Sequence, residues 1–396
     1  MATAAFDCGS TPDVRDVLDF LFDASGWRSV NESSWHGCAS GTVYGHDVRA
    51  VALCGSELPL PAAVSADVAL FVEQEISLPL VVVLTPGEVL GETDQHVVLN
   101  RLFAGVLRAR GRGLVIAVVL GPLIGPLAVL ARLADIICFG PAGSLALADA
   151  ETAGKLSANP SPIGVGTLRR DFATDAAALL GARDLLGRLA ARSPVGRETQ
   201  ESGGGEDAAF ERLVGLDSTV HIDERRLLRL IADDRTFVEL GSAAGLVTGL
   251  ALVGGSTVGI LASGAEMSGV LDAAALVQAG QLVGFCGRRS FPVLSLIDCP
   301  GVVPDAAALG HLVTLLSTWT ASDVMVISLV VRKAIGAAVA ALIPSGTTLH
   351  ALLYWPDAEV GLLREAADVP RGRRIAPRET RRVLLETLAI LRKQRA

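Results

Sequence analysis

The chain repeats one short pattern in each half, and this duplication constrains its fold more than any other feature. In the first half, LPLVVVLTPGEV (78–89) joins an apolar run to a Pro-Gly turn, and FPVLSLIDCPGVV (291–303) does the same in the second half. Gly125 follows the first copy in GPLIGPLAVLARLAD, and Gly336 follows the second in VVRKAIGAAVAAL. Two copies of a strand, a glycine turn and a small-residue helix predict two half-sites that present backbone N–H groups to a ligand.

Strand-like and helix-like segments alternate in both halves, which predicts an α/β fold with parallel sheets built by duplication. The predicted strands of the first half lie near 42–53, 78–84, 113–120 and 135–139, and its predicted helices near 13–26, 62–75, 92–110, 126–134 and 174–192. Gly26 is expected to cap the first helix, and Thr174 is expected to begin the last one.

A polar segment with a glycine triplet, SPVGRETQESGGGEDA (193–208), separates the halves and is typical of an exposed linker. We therefore expect an N-terminal half over 1–195, a linker over 196–215 and a C-terminal half over 216–396. The pattern of the first half starts again after the linker.

Composition excludes some classes of function. The formal net charge of −8 argues against nucleic-acid binding, because neutralising phosphates needs a basic surface. The N-terminus lacks the pattern of a signal peptide, and we expect a cytoplasmic protein. Gly113–Ala131 is apolar and long enough to span a bilayer, but its two Gly-Pro pairs favour a buried strand, turn and helix over a membrane segment. The cysteines show no C-x-x-C spacing, so no metal site is predicted.

Ordered blocks of the second half resemble a known family. These blocks are FVELG, LVTGLALVGGSTVGILAS, SLIDCPGVVPD, VVRKAIGAAV and LYWPDAEV. They resemble the carboxyltransferase (β) subunits of biotin-dependent acyl-CoA carboxylases, where the matching blocks read D-x-P-G-F, R-K-A-Y-G-G-A and Y-A-W-P-x-A-E. The first half is similar only through GPLIGPLAVLARLAD, the strand before it and residues 174–190.

This resemblance implies two crotonase-like halves (the ClpP/crotonase fold), each a ββα spiral, and active sites formed where the N half of one chain meets the C half of another. In that family one glycine turn per half forms an oxyanion hole: the N-half turn holds the acyl-thioester carbonyl, and the C-half turn holds the ureido oxygen of carboxybiotin. Fixed backbone N–H donors stabilise the charge that develops on both oxygens.

The resemblance assigns the catalytic turns. Gly336 and Ala337 match the family's C-half pair, and Gly125 matches the first residue of the N-half pair. The next N-half position, a glycine in the family, is Pro126, which has no N–H to donate. The amide of Leu127 is the expected substitute. The alternative for these turns is ordinary packing of a small-residue helix start against a sheet.

The same resemblance assigns a biotin-binding group. Asp298, Cys299 and Gly301 match the D-x-P-G turn that lines the biotin pocket. Arg332 and Lys333 precede the second glycine turn and either orient an anionic substrate or are solvated charges at a strand end. A nucleophilic role for Cys299 is not expected, because no basic residue is placed to lower its pKa.

For the acyl substrate, the candidates are Gly87, Pro126, Arg108 and Arg112. Gly87 begins GEVLGET (87–93), which stands where the family has a glycine-rich stretch, and it departs from that pattern. Arg108 and Arg112 either meet the phosphates of coenzyme A or are cations near a helix C-terminus, and the second interpretation is favoured.

The leading hypothesis is an enzyme that moves a carboxyl group to or from the α-carbon of an acyl thioester through an enolate. The thioester would be of coenzyme A or of a carrier protein's phosphopantetheine. One alternative is a biotin-independent malonyl-thioester decarboxylase, and another is a non-catalytic paralogue that pairs with an active carboxyltransferase subunit. No biotinyl-lysine motif of the A-M-K-M type is present. We therefore expect biotin to arrive on a partner, such as a biotin carrier or biotin carboxylase subunit, and we expect a homo- or hetero-oligomer.

Overall fold

The fold is described from a computed structural model. It describes residues 12–24, 26–32, 36–54, 62–85, 87–88, 95–148, 152, 168–190, 209–210, 222–243, 245–263, 269–344, 349–362 and 372–395. The chain divides into two compact units, Met1–Arg192 and Ser193–Ala396. Most of the predicted linker, 196–215, lies outside the described residues, so the domain bounds expected from the sequence stay a prediction.

Unit 1 alternates short strands with helices. Its elements are α1 (Val14–Leu21), β1 (Trp27–Glu32), β2 (His36–Val43), β3 (His46–Leu53), α2 (Ala62–Glu73), β4 (Leu80–Leu84), β5 (Gly87–Glu88), α3 (Gln95–Arg112), β6 (Val115–Val119), β7 (Pro122–Ile124), α4 (Pro126–Arg132), β8 (Ile136–Phe139), β9 (Ser144–Ala146), β10 (Arg169–Asp171) and α5 (Asp175–Ala190).

The main sheet of unit 1 has the order β1-β2-β3-β4-β6-β8-β10 among the described residues. Strands β1 to β3 are antiparallel, and the strands from β3 to β10 are parallel. β5, β7 and β9 form a separate small parallel sheet. The parallel strands are buried apolar runs, because helices α2, α3 and α4 pack on one face of the main sheet.

Unit 2 repeats this plan. Its elements are α6 (Glu224–Ile231), β11 (Val238–Ala243), β12 (Leu246–Val253), β13 (Ser256–Ser263), α7 (Ala273–Arg289), β14 (Val293–Cys299), α8 (Ala306–Ser322), β15 (Val326–Ile335), α9 (Ala337–Leu342), β16 (His350–Tyr354), β17 (Glu359–Gly361), β18 (Arg373–Arg374), a 3₁₀ turn (Pro377–Glu379) and α10 (Thr380–Arg395).

The sheet of unit 2 has the order β11-β12-β13-β14-β15-β16-β18, with β17 paired to the end of β15. As in unit 1, the first three strands are antiparallel and the following ones parallel. The predicted α/β class is confirmed, and so is the duplication.

The duplication extends further than the sequence analysis found. Asp23 follows helix α1 and accepts hydrogen bonds from the turn amides of Tyr44 and Gly45. In unit 2, Asp233 follows α6 and accepts from Gly254 and Gly255 in the same way. Each carboxylate therefore ties the end of the first helix to the hairpin turn between the second and third strands of its unit.

An arginine binds each of these two carboxylates. Arg183 on α5 donates to the carbonyls of Leu21 and Phe22 and to Asp23, at 2.7 Å. Arg381 on α10 donates to the Ile231 carbonyl and, at 2.7 Å, to Asp233. Since the last carbonyls of a helix have no partner within it, each arginine also caps a helix end.

Some local predictions were wrong. Helix α1 ends at Leu21 with Phe22 as its C-cap, so Gly26 is not a cap; its N–H donates to the Asp23 carbonyl, and β1 follows. The predicted strand at 42–53 is a hairpin that turns at Tyr44 and Gly45, both with positive φ. Thr174 was predicted correctly as a cap, because its hydroxyl accepts from the Ala177 N–H at 3.1 Å.

The apolar stretch Gly113–Ala131 forms the predicted strand and helix, as β6 and most of α4, and the turn between them contains the short strand β7, which was not predicted. Within the described ranges, no helix has both the length and the hydropathy needed to cross a bilayer.

Candidate functional site

The residues of unit 2 that the sequence predicts to bind biotin lie at the carboxyl ends of two neighbouring strands. Asp298 and Cys299 end β14, and Gly301 follows in the next turn. Arg332 and Lys333 lie near the end of β15, which is parallel to β14, with Cys299 in register with Ala334. Ligands of parallel α/β sheets bind at this edge, so the fold brings together the residues that the sequence placed in one group.

Asp298 and Arg332 form an ion pair. Their Oδ2 and Nη1 atoms lie 3.7 Å apart, and the side chains are only 6% and 17% exposed. Arg332 is therefore not a solvated charge at a strand end. The pair links the D-x-P-G turn after β14 to the strand that leads into the Gly336 turn, so it couples the positions of both turns.

Cys299 is a structural residue in this arrangement. Its thiol is buried and donates to the Gly301 carbonyl at 3.2 Å. Burial raises the pKa of the Cys299 thiol to about 12, so the side chain stays protonated at neutral pH. This agrees with the expectation that Cys299 is not a nucleophile.

Gly301 lies beside open space. Its carbonyl accepts from the Leu271 N–H at 3.1 Å, which fixes the turn. A β-carbon built at Gly301 meets no atom within 4 Å. Neither packing within the described residues nor a positive φ requires glycine at this position.

The two predicted glycine turns have nearly the same backbone conformation. Gly125 has φ 62° and ψ −125°, and Gly336 has φ 63° and ψ −132°. Each precedes a short helix, and each N–H donates to a carbonyl of a neighbouring strand: Gly125 to Ala146 at 2.8 Å and Gly336 to Gly361 at 2.9 Å. The amides of the glycines are thus used inside the protein, and the glycines supply the shape of the turn.

The N–H groups available to a ligand come after each glycine. In unit 2, Val339 donates back to the Gly336 carbonyl at 3.1 Å. This leaves the amides of Ala337 and Ala338, the first two residues of α9, without a carbonyl to bond within the helix. Ala337 is exposed on this turn, whereas Ala338 is fully buried, so Ala337 is the one of the two whose amide a ligand can reach. Sequence reasoning named Ala337 but missed Ala338, because the start of the helix could not be fixed to one residue.

The turn of unit 1 has no donor at the position that aligns with Ala337. Pro126 occupies the first position of α4 and has no N–H. Val129 donates to the Gly125 carbonyl at 3.1 Å, which leaves the amides of Leu127 and Ala128. Gly87 pairs in register with Leu123, so β5 runs beside the strand that leads into this turn. The roles assigned to Gly125, Leu127 and Gly87 stay predictions.

The arginines proposed for coenzyme A phosphates have different surroundings. Arg108 forms an ion pair of 2.7 Å with Glu73, which also pairs with Arg101 at 2.8 Å. This partner favours the structural interpretation of Arg108. Arg112 is the exposed last residue of α3, and its assignment stays a prediction.

Charge distinguishes the two half-sites. VIAVVLGPLIGPL (115–127) aligns without gaps on VISLVVRKAIGAA (326–338), and both segments hold a strand, a glycine and a helix start. Where unit 2 has Arg332 and Lys333, unit 1 has Gly121 and Pro122. This ungapped alignment is a signal that would have identified Ala338 and the polar character of the second half-site from the sequence.

The architecture matches solved carboxyltransferase structures. The model superposes on transcarboxylase 12S, solved as a hexamer with hydrolysed methylmalonyl-coenzyme A, with a TM-score of 0.85 over 97% of this chain and 90% of that one, at 22% identity. A single-chain long-chain acyl-CoA carboxylase gives a TM-score of 0.77 at 19% identity, covering 95% of this chain and 47% of that one. The fold is therefore the crotonase-like α/β fold of these carboxyltransferases.

A family model for the carboxyl transferase domain matches residues 158–389, more than half of the chain, and the chain belongs to this family. It is similar to the methylmalonyl-CoA carboxyltransferase 12S subunit of Propionibacterium freudenreichii subsp. shermanii (32% identity; 38% of this chain, 30% of the relative). It is also similar to the putative propionyl-CoA carboxylase beta chain of Bacillus subtilis (29%; 48% and 39%) and to the human mitochondrial propionyl-CoA carboxylase beta chain (28%; 50% and 39%). The matched stretch covers less than half of each relative's length.

Proposed function

We propose that this protein transfers a carboxyl group to or from the α-carbon of an acyl thioester of coenzyme A or of a carrier protein. The observation that carries the proposal is the Gly336 turn, which presents the Ala337 amide after the strand that carries Arg332 of the Asp298–Arg332 pair, in a chain of the carboxyl transferase family. A fixed N–H donor suits an oxygen that gains negative charge during the reaction.

The residues of unit 2 fit a biotin ureido group. The Ala337 amide would donate to the ureido oxygen, and the space beside Gly301 leaves room for the ring. Biotin, when bound, would supply the carboxyl group and the base, so no side-chain base is required. The buried Asp298–Arg332 pair would hold the two turns that contact it in a fixed relation.

The residues of unit 1 would hold the acyl thioester. The Leu127 and Ala128 amides would donate to the thioester oxygen, which becomes the enolate oxygen when the α-proton leaves. Because Pro126 offers no N–H, this site has one donor fewer than the family pattern, and each such donor contributes about 2.7–4 kcal/mol. An acyl group that needs less enolate stabilisation, or one held by further contacts, would fit this half-site.

Carboxyl-labelled malonyl-CoA tests the proposal when it is incubated with the protein, biotin and an unlabelled acyl-CoA acceptor. A transferase moves the label to the acceptor, and avidin blocks the transfer. Release of labelled carbon dioxide that avidin does not affect would instead identify the biotin-independent decarboxylase. If neither reaction occurs, even after a biotin carrier and biotin carboxylase are added, the result would support the non-catalytic paralogue instead.

A Gly301→Ala variant should bind biotin less well without losing stability. The added methyl group meets open space, so the free energy of unfolding should change by less than about 0.5 kcal/mol. Steric intrusion on a bound ring costs about 1–3 kcal/mol, so KM for biotin should rise by about tenfold. Gly280→Ala on α7 is the matched control, since its β-carbon also meets nothing within 4 Å. Equal KM values for the two variants would remove Gly301 from the biotin site.

We also propose that copies of the chain associate through helix α8. Residues 306–322 contain no charged side chain, and Leu309, Val313 and Leu316 on this helix are 64%, 56% and 37% exposed. Contiguous exposed apolar surface of this kind marks protein interfaces.

A Val313→Glu variant should therefore dissociate the assembly. Burying an unpaired charge costs at least about 3 kcal/mol, so the dissociation constant should rise about 100-fold or more, as measured by sedimentation equilibrium. Leu180→Glu on α5 is the control, because Leu180 is an exposed leucine on a different helix. If both variants sediment like the parent, α8 is not an interface.

A further inference from the structure

Helix α9, which carries the Ala337 and Ala338 amides, has only six residues and is held at both ends by other elements. At its N-terminus, the Gly336 N–H donates to the Gly361 carbonyl of β17. At its C-terminus, the last carbonyls have no partner within the helix. Two buried side chains supply donors there.

The first donor is Trp319 of α8. Its indole Nε1–H donates to the Ala341 carbonyl at 2.9 Å, and the side chain is almost completely buried. The second is Ser328 of β15, whose hydroxyl donates to the Leu342 carbonyl at 3.0 Å. Ser328 is fully buried, so neither contact competes with water.

A third side chain supports the second donor. His350 of β16 places Nε2 3.1 Å from the Ser328 hydroxyl oxygen. Because the single hydroxyl proton of Ser328 goes to Leu342, the serine oxygen accepts from His350, which assigns the proton to Nε2. Burial lowers the pKa of His350, so the ring is neutral at physiological pH.

Unit 1 lacks this arrangement in its described part. The position aligned with Ser328 is Ala117, which has no hydroxyl to donate. At the end of α4, the Val129 carbonyl accepts from the Leu133 N–H, and the Ala131 carbonyl accepts from the Ala134 N–H. The side-chain network therefore belongs to the half-site with the charged pair and the exposed Ala337 amide.

We propose that Trp319, Ser328 and His350 are positioning residues that hold helix α9 so that the Ala337 amide stays directed at the oxygen it stabilises. This inference rests on the proposed function for its catalytic consequence. Its structural part, that the network fixes α9, can be measured without any activity. Loss of a donor leaves a buried carbonyl without a partner, and the short helix has few contacts of its own to compensate.

The chain offers a matched control for each substitution. Trp355 is a buried tryptophan of the same unit whose Nε1–H donates to Thr380 at 2.9 Å, away from α9. Ser295 is fully buried and lies in register with Ser328 on the neighbouring strand, and its hydroxyl has no hydrogen-bond partner among the described residues. Trp319→Phe is therefore compared with Trp355→Phe, and Ser328→Ala with Ser295→Ala.

Amide hydrogen exchange of the full-length variants tests the network. In Trp319→Phe and Ser328→Ala, the amides of 339–342 should exchange about five- to hundredfold faster than in the parent, as expected for an unpaired buried carbonyl. In the two controls, exchange over this segment should equal that of the parent. Equal exchange in all four variants would overturn the inference.

Turnover gives the second readout. In Trp319→Phe and Ser328→Ala, kcat for carboxyl transfer should fall about tenfold with KM for the acyl thioester unchanged, since the amides act on the charge of the transition state. Faster exchange with an unchanged kcat would overturn the positioning role. A parent protein without transfer activity would contradict the proposed function, while the exchange rates would still decide whether the network fixes α9.

Discussion

An Ala337→Pro variant is expected to fold as stably as the parent and to lose carboxyl transfer by a factor of about 10²–10³. Proline removes one N–H from the turn and changes little else. Ala337 is the first residue of α9, where proline is well tolerated because its missing N–H would have no helical partner.

Unit 1 shows that this backbone accepts proline. Pro126 follows Gly125 at the aligned position, and the angles of the two glycines are close, with φ 62° and ψ −125° at Gly125 and φ 63° and ψ −132° at Gly336. Ala337 is exposed, so the ring has space. The variant thus separates loss of a hydrogen-bond donor from loss of structure, which substitution of Gly336 would not do.

The measurements are kcat/KM for carboxyl transfer and the midpoint of chemical denaturation. The matched control is the reciprocal variant, Pro126→Ala, which adds an N–H to the unit 1 turn and should not lower activity. An Ala337→Pro enzyme with parental turnover and parental stability would show that this amide does not act on the reacting oxygen.

The second large effect concerns stability. Arg381→Met is expected to lower the free energy of unfolding by about 2–3 kcal/mol, because hydrogen bonds of charged groups contribute about 1.5–3 kcal/mol each. Arg381 is 15% exposed, caps the end of α6 at Ile231 and pairs with Asp233. Its removal leaves the Asp233 carboxylate, which holds the turn at Gly254 and Gly255, without its cation.

Arg378→Met is the control, because Arg378 is exposed and precedes the same helix; its effect should stay within about 0.5 kcal/mol. Denaturant unfolding measures both variants. Arg183→Met should repeat the loss in unit 1, where Arg183 makes the equivalent bonds to Phe22 and Asp23. If Arg381→Met and Arg378→Met unfold at the same denaturant midpoint, the stabilising role assigned to Arg381 would be contradicted.

The parallel core of each unit was predictable because its strands are continuous apolar runs with glycine turns. The hydrogen bonds of Asp23 and Asp233 could not be predicted, because Arg183 lies about 160 residues after Asp23 and no local sequence pattern joins the two. The very short strands β7, β9 and β17 also escaped prediction, because two or three residues carry no usable periodicity.

The proximity of the candidate residues was predictable from the sequence, whereas the roles assigned to them stay predictions. The sequence grouped Asp298, Gly301 and Arg332, and the fold brings them to one sheet edge. It did not reveal that the Gly125 and Gly336 amides are taken by β9 and β17, because those bonds depend on pairing with distant residues. The proposed donor of unit 2 therefore lies after the glycine, at Ala337.

The most direct test of this account is a crystal structure of the protein with biotin bound, in which the distances from the ureido oxygen to the Ala337 and Ala338 nitrogens are measured. We predict that the oxygen lies about 2.7–3.1 Å from at least one of them, with the ring beside Gly301. A ureido oxygen farther than about 4 Å from both nitrogens, beyond any hydrogen bond, would contradict the account.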